Sequence, residues 1–258
     1  MRGMYAVFKR ELKAYLFSPI AYVVMTIFLV ISGYIFYSNL AIFSIISFQA
    51  IQQPQFASGL NVSEGVVRPL FGDMGIILVF MAPLLTMRLF AEERKSGTME
   101  LLLTFPLRDM EIILGKFFAA LVIYLLMVAA TAVYPILLLV FGEPELGPLI
   151  AGYLGLILMG AAFLALGTWA SSLTENQIVA AVIAFGMLLL FWIIGWATSL
   201  APPLLRQILP HVSIIEHYGN FSKGVIATHD LLYYLLFIGF FLFANQIGLE
   251  SRKWRGRV

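Results

Sequence analysis

The sequence has no cysteine and little charge. The absence of cysteine excludes disulfides, iron–sulfur clusters, thiol catalysis, cysteine-ligated zinc, and palmitoylation or prenylation. Only 12% of the 258 residues are charged, against about 25% in ordinary soluble domains. Because 61% of the residues are hydrophobic, too few polar side chains remain to cover a soluble surface. We therefore expect most of the chain to lie in a lipid bilayer.

The sequence also lacks the features of a nucleic-acid binder and of common enzymes. Its net charge is only +2, and its basic residues are dispersed rather than clustered, so we expect no nucleic-acid partner. It contains no HExxH zinc motif, no GxSxG nucleophile elbow and no GxxxxGK[ST] phosphate loop. We therefore predict that the chain is not an enzyme and does not itself hydrolyse ATP.

Six apolar stretches are long enough to cross a bilayer, which takes about 20 residues of helix. Pro83 and Pro135 are expected to kink the second and third of them. The sequence thus predicts an all-α polytopic membrane protein with six transmembrane helices in a single domain, residues 1–258. The predicted spans are Ile20 to Phe43, Gly75 to Leu89, Ile112 to Phe141, Leu149 to Ser171, Ile178 to Leu200 and Leu231 to Leu249.

The distribution of basic residues predicts the orientation of these spans. All but three of the sixteen basic residues fall on one side of a six-span arrangement, and that side holds both termini. Lysine and arginine are retained in the cytoplasm, so we predict that both termini are cytoplasmic. Arg88 and Lys116 lie near span ends, where we expect their side chains to reach the inner membrane surface.

Residues 1–19 are predicted to form an amphipathic helix at the membrane interface. Ser18-Pro19 would end this helix and turn the chain into the membrane. The alternative is a simple helical extension of the first span. The predicted apolar face holds Tyr5, Phe8, Leu12, Tyr15 and Leu16, and the polar face holds Lys9, Arg10 and Lys13.

The three histidines all fall near the end of the chain, in the segment between the fifth and sixth spans. His211, His217 and His229 are six and twelve residues apart, which matches no ligand pattern on a helix or hairpin. We therefore expect no metal site and no cofactor in this chain. Asp230 is placed to cap the sixth span.

The connection after the second span combines dense charge with a short apolar helix. Arg88 to Lys95 is rich in charge, Ser96-Gly97-Thr98 breaks it, and Pro106 ends the following helix. Met99, Leu102 and Leu103 share one helical face, which could dock on a partner protein. The alternative is a solvated loop lying on the inner leaflet, and composition alone favours that alternative.

This connection resembles the cytoplasmic signature of class-2 (ABC-2 type) ABC transporter permeases, in particular the gliding-motility-associated permease branch. The resemblance is carried by FAEERKSGTMELLL at residues 90–103, Pro106 and LGK at 114–116. It extends to FKREL at 8–12 and FSPIAY at 17–22. Near the end it includes PHVS at 210–213, His217-Tyr218 and DLLYY at 230–234.

The resemblance implies a permease that dimerises, with a second copy or a homologous permease, and binds ABC ATPase subunits in the bacterial cytoplasmic (inner) membrane. ATP and magnesium would belong to the ATPase. Residues 90–109 would be the cytoplasmic coupling segment and residues 201–230 an outer lid. The implied docking residues are Glu92, Glu93, Arg94, Gly97, Thr98, Glu100 and Leu101.

Several alternatives remain open from the sequence. The first interpretation is an exporter, the second is ABC-coupled mechanotransmission to envelope partners without transport, and the third is a scaffold without energy coupling. The polar stretch from Ser44 to Asp73 matches no family motif. It would be either a plain loop or a contact for an auxiliary membrane or periplasmic subunit.

Overall fold

The computed structural model describes residues 2–52, 61–99, 107–142, 144–197 and 202–254, and these residues form helices joined by short connections, with no strand. This confirms the predicted all-α class. A π-helical turn at Ser63–Val67 precedes α3. The helices are α1 (Arg2–Leu16), α2 (Pro19–Gln52), α3 (Arg68–Thr86), α4 (Arg88–Lys95), α5 (Asp109–Ala130), α6 (Val133–Phe141), α7 (Leu146–Leu173), α8 (Gln177–Ala197), α9 (Pro203–Val212), α10 (Ile214–Ser222) and α11 (Thr228–Trp254).

The described residues contain six helical stretches that are long and apolar enough to cross a membrane, as predicted. The first two are longer than the sequence indicated, because helix continues on both sides of the apolar runs. Most of the stretch from Ser44 to Asp73 is therefore helical rather than loop, with residues 53–60 outside the described part. The stretches are Pro19–Ile51, Ser63–Lys95, Asp109–Phe141, Leu146–Leu173, Gln177–Ala197 and Thr228–Ser251.

Helix α7 lies at the centre of the bundle and is flanked by α3 and α5, whereas α2, α8 and α11 are more exposed. Glycines on α7 allow large aromatic rings to approach its backbone. A Cβ atom on Gly152 would lie 2.2 Å from the ring of Phe71, and one on Gly160 would lie 2.1 Å from the ring of Tyr124. The small residues of the fourth span thus serve packing within the chain.

The third span is broken where Pro135 requires it. Helix α5 ends at Ala130 and α6 begins at Val133. Proline has no N–H to donate to the carbonyl four residues earlier, which belongs to Thr131. The hydroxyl of Tyr153 on α7 donates to that carbonyl at 3.0 Å. The third span is thus interrupted just before Pro135, where the sequence predicted a kink. The Thr131 carbonyl accepts from the N–H of Tyr134 as well as from the Tyr153 hydroxyl.

Helix α1 is separate from the first span and packs along α5. Gly115 on α5 permits this approach, since a Cβ there would lie 2.9 Å from Cβ of Val7. Val7 and Tyr15 are buried, but Tyr5 and Leu16 are exposed. The predicted apolar face therefore divides in two: Tyr15 packs inside the bundle, whereas Tyr5 and Leu16 are exposed, where an interfacial helix would contact lipid. The position of this helix at the membrane interface stays a prediction.

Candidate functional site

The candidate site lies at the end of the bundle that carries α1, α4 and the start of α5, which we call the basic end. Helix α4 follows α3 after the single residue Met87 and ends at a turn containing Gly97. Gly97 has a φ of +70°, a conformation that glycine adopts without steric cost. Its N–H donates to the carbonyl of Arg94, and the hydroxyls of Ser96 and Thr98 are 2.8 Å apart. The Ser-Gly-Thr break predicted from the sequence is therefore a compact, hydrogen-bonded turn.

Five of the seven predicted docking residues are described by the structure, and they differ in exposure. Three are exposed at the surface: Glu92, Gly97 and Thr98. Glu93 and Arg94 are partly buried. Glu100 and Leu101 lie outside the described residues, so their predicted role is not addressed by the geometry.

Glu93 points into the protein, where it meets Lys116 of α5. The Lys116 Nζ atom lies 2.9 Å from Glu93 Oε2, and Glu93 also pairs with Arg10 of α1. Lys116 is fully buried and donates to the carbonyl of Leu89 at 2.6 Å. The expectation that Lys116 reaches the membrane surface is therefore wrong, because two carboxylates and a carbonyl bind it inside the bundle.

Glu11 of α1 completes a group that we call the charged cluster: Arg10, Glu11, Glu93 and Lys116. Glu11 Oε1 accepts from Lys116 Nζ at 2.9 Å and from Arg10 Nη2 at 2.6 Å. Burial alone raises the pKa of Glu11, but the adjacent Lys116 and Arg10 cations outweigh burial and hold this pKa below its usual value. The charged cluster joins α1, α4 and α5 through paired charges.

Arg88 makes a second connection between α1 and α4. Its guanidinium donates to Ser18 Oγ at 2.6 Å and to the carbonyl of Ala14 at 3.1 Å. It also lies 4.8 Å from the ring centre of Tyr15. A cation at the carbonyl end of a helix is favourable, and Arg88 lies at the end of α1.

Tyr15 connects α1 to α3. Its hydroxyl donates to the carbonyl of Leu85 at 2.6 Å. Burial raises the pKa of Tyr15, which keeps the hydroxyl protonated as a donor.

Ser171, near the end of α7, binds the start of α4. Its hydroxyl accepts from the N–H groups of Phe90 and Ala91, at 3.0 and 3.2 Å, and donates to the carbonyl of Met87 at 2.9 Å. These N–H groups belong to the first turn of α4, where a helix leaves backbone donors unpaired. Helix α4 is therefore fixed to α1, α5 and α7 rather than lying loose on a membrane surface.

The sequence reasoning did not identify the loop between α7 and α8 as part of this end of the molecule. Lys95 of α4 and Glu175 of that loop line the same cavity, of about 490 Å³. Glu175 is exposed. The sequence did contain evidence that Glu175 belongs to this end. It is an acidic residue between two apolar spans, and it falls on the same predicted side of the membrane as residues 90–109.

At the opposite end, α10 packs into the bundle against α7. Gly155 allows this contact, since a Cβ there would lie 2.7 Å from Cβ of Phe221 and 2.8 Å from the ring of Tyr218. The side chain of Ser213 caps α10 by accepting from the N–H of Glu216. Part of the predicted outer lid is thus a packed helix, and its action as a lid stays a prediction.

Asp230 does not cap the sixth span, contrary to the sequence-based expectation. Helix α11 begins at Thr228, so Asp230 lies within its first turn. Its carboxylate accepts from Asn220 Nδ2 at 2.8 Å and lies 2.6 Å from His217 Nδ1. The side chain is drawn away from the helix end because α10 supplies these partners. Asp230 thereby connects α10 to the sixth span.

Comparison with protein families gives one match. The family model described as ABC-2 family transporter protein matches residues 5–245, which is nearly the whole chain. No curated protein matches the sequence. The matched range includes most of α1, all of α4 and all of α10, so the site residues described above all lie within it.

Proposed function

The chain belongs to the ABC-2 transporter family, and we propose that it is the transmembrane permease subunit of an ABC-type exporter. The family and the membrane-spanning helices make it a multi-pass membrane protein, and the family implies an ABC ATPase partner. In this proposal the permease dimerises and couples ATP hydrolysis by the ATPase to movement of substrate across the bacterial cytoplasmic membrane. The chain itself is not an enzyme, and ATP and magnesium bind to the partner.

The charged cluster is the observation that carries this proposal. An ATPase that pushes on residues 90–109 would first move α4, and α4 is joined to Lys116 of α5 through Glu93. Lys116 in turn binds Glu11 of α1. Because Lys116 is fully buried, separating it from its carboxylates would be costly, so these helices move together. The cluster therefore transmits a displacement from the docking surface into the third span.

The exposed residues of the same segment form the docking surface. Glu92 and Thr98 face outward, and Glu175 lies on the neighbouring loop that shares a cavity with Lys95. Exposed carboxylates suit a surface that must bind its partner in a single orientation, since complementary charge mainly determines specificity and orientation. Glu93, by contrast, acts in transmission rather than in direct contact with the ATPase.

Dimerisation draws support from the exposed spans. Helices α2, α8 and α11 carry many exposed large apolar side chains, among them Tyr34, Trp196 and Phe240. Lipid and a second permease copy, the same chain or a homologue, would share this surface. Membership of the gliding-motility-associated branch is part of the proposal, on the strength of the motifs at residues 90–103 and 210–234. An auxiliary membrane or periplasmic subunit would contact the end opposite the basic end.

The second candidate is mechanotransmission to envelope partners without transport. The tight packing of α7 against aromatic residues of α3 and α5 favours rigid-body movement of the bundle core. Such movement suits both transport and mechanotransmission. Inside-out vesicles containing the complex distinguish the two. An exporter accumulates a compound inside the vesicles when ATP is supplied, whereas the alternative hydrolyses ATP without accumulation.

A charge reversal at Glu92 tests the docking surface. We expect Glu92→Lys to reduce ATPase recovery about tenfold in a mild-detergent pull-down, because a loss of about 1.4 kcal/mol of contact energy gives that ratio. Glu64→Lys is the matched control, since Glu64 is also exposed but lies at the other end of the bundle.

Both variants should insert in the membrane. Glu92→Lys should melt as the wild type does, and Glu64→Lys only slightly lower, because it loses an exposed ion pair with Arg68. Equal ATPase recovery with Glu92→Lys and Glu64→Lys would contradict the docking assignment. An equal loss of ATPase recovery with both variants would mean that added positive charge lowers recovery wherever it lies. That result would also contradict the docking assignment.

A further inference from the structure

Two histidines and an aspartate meet at the end of the bundle opposite the basic end. We call His217, His229 and Asp230 the outer histidine cluster; each offers one ligand atom, and these atoms all lie within 4.8 Å of one another. His217 Nδ1 and His229 Nε2 lie 2.6 and 3.1 Å from the same oxygen, Asp230 Oδ1. We propose that this cluster binds a divalent transition-metal cation of the zinc type.

His217 is oriented as a metal ligand. Its ring stacks on Tyr233, with ring centres 3.9 Å apart, and its Nε2 faces the carbonyl of His211 at 3.4 Å. Metal-binding histidines commonly direct their second ring nitrogen to a carbonyl in this way. Its other ring nitrogen, Nδ1, faces Asp230 Oδ1 at 2.6 Å, so a cation bound by both atoms would link α10 to α11.

The carboxylate of Asp230 is also oriented toward the proposed metal ion. Its side chain is 1% exposed, and Asn220 Nδ2 donates to Oδ2 at 2.8 Å. Oδ1 is thereby directed toward both histidines. A buried carboxylate needs a compensating positive charge, and a cation bound by Oδ1 and the two imidazoles supplies it.

The ligand atoms lie within 4.8 Å of one another and must rearrange to bind a tetrahedral ion. Nitrogen and oxygen ligands lie about 2.0–2.2 Å from zinc, which places neighbouring ligand atoms about 3.4 Å apart. The His229–Asp230 separation of 3.1 Å is already near this value, and the His217–Asp230 separation of 2.6 Å must widen by roughly 0.8 Å. His229 is 69% exposed, so it can adjust and leaves the fourth position open to solvent.

The site would add a bound ion to two helices that hydrogen bonds already join, such as the one from Tyr234 to the carbonyl of Ile214. His217 belongs to α10 and the other two ligands belong to α11, so a bound ion would cross-link the outer segment to the sixth span. This inference departs from the sequence-based expectation of no metal, which weighed histidine spacing alone and assigned Asp230 to a helix cap. It does not depend on the proposed function.

Zinc binding to the purified full-length chain in detergent tests the inference. The protein is stripped with EDTA, dialysed against Zn²⁺ and assayed for bound metal by elemental mass spectrometry and for thermal unfolding. We expect one Zn²⁺ per chain and a rise in Tm that EDTA reverses. His229→Gln should weaken zinc binding about tenfold or more, and it should fold normally because His229 is exposed.

His211→Gln is the matched control. The His211 side chain faces the carbonyl of Gln207 and contributes only its backbone oxygen near the cluster. We expect this variant to bind zinc as the wild type does. The inference is overturned if the wild type retains no stoichiometric zinc, or if His211→Gln loses zinc as completely as His229→Gln.

Discussion

Replacing Lys116 by methionine tests whether the charged cluster holds the basic end of the bundle together. Methionine keeps the length and apolar stem of the side chain but removes its charge. In the wild type, Lys116 Nζ lies 2.9 Å from a carboxylate oxygen of both Glu11 and Glu93. The variant therefore leaves two carboxylates facing each other, with Arg10 as the remaining cation of the cluster.

The size of the effect follows from burial. Removing one partner of a buried ion pair costs about 3–5 kcal/mol, because the remaining charge stays in a poorly solvated place. The Glu11 and Glu93 side chains are 12% and 15% exposed, so some water reaches them and the lower end of this range applies, about 3 kcal/mol. For a chain of this size, 1 kcal/mol corresponds to about 2–4 °C in Tm. We therefore expect Lys116→Met to melt about 10 °C below the wild type.

Thermal unfolding in detergent or nanodiscs, followed by tryptophan fluorescence, measures this difference. Lys95→Met is the matched control, since Lys95 is exposed on the same segment and should change Tm little. Combining Lys116→Met with Glu11→Gln and Glu93→Gln should restore most of the lost stability, because no unpaired buried charge remains. A loss below about 1 kcal/mol in the single variant, or no recovery in the triple variant, would refute the reasoning.

Two further predictions concern acid sensitivity and core packing. Because the folded pKa of Glu11 lies below its ordinary value of 4.5, its stabilising contribution is complete above pH 4.5 and is lost as the pH falls through the folded pKa. The Tm difference between wild type and Glu11→Gln should therefore shrink below pH 4.5, and a constant difference would contradict this assignment. Gly160→Ala should cost about 1–3 kcal/mol, because its Cβ would lie 2.1 Å from the Tyr124 ring. The control Gly186→Ala has nothing within 4 Å and should be neutral or slightly stabilising; equal Tm values for the two variants would contradict the packing.

The number of spans was predictable because hydropathy is a local property of the chain. Each predicted apolar run lies largely within one observed span, and Pro135 falls where the third span breaks. The ends of the first two spans were not predictable in the same way. Polar residues at a helix end can reach water, so the helix continues beyond the apolar run.

The partners of the charged residues could not be read from the sequence. Lys116 is 23 residues from Glu93 and 105 residues from Glu11, and only the packing of α1, α4 and α5 brings them together. The same is true of His217 and Asp230, which share a site only because α10 folds back onto α11. The pattern identified residues 90–103 as important but not which carboxylate faces the solvent. That distinction depends on burial, which leaves Glu92 exposed and turns Glu93 inward.

The most direct test of the central claim is a mild-detergent pull-down of the tagged full-length chain from its native membrane, with mass spectrometry and an ATPase assay on the recovered material. We predict recovery of an ABC ATPase at about one subunit per permease chain, with magnesium-dependent ATP hydrolysis in the same fraction. Recovery of the chain alone, or with partners that contain no nucleotide-binding subunit, would contradict it. In that case the charged cluster would stabilise the fold without transmitting movement from an ATPase.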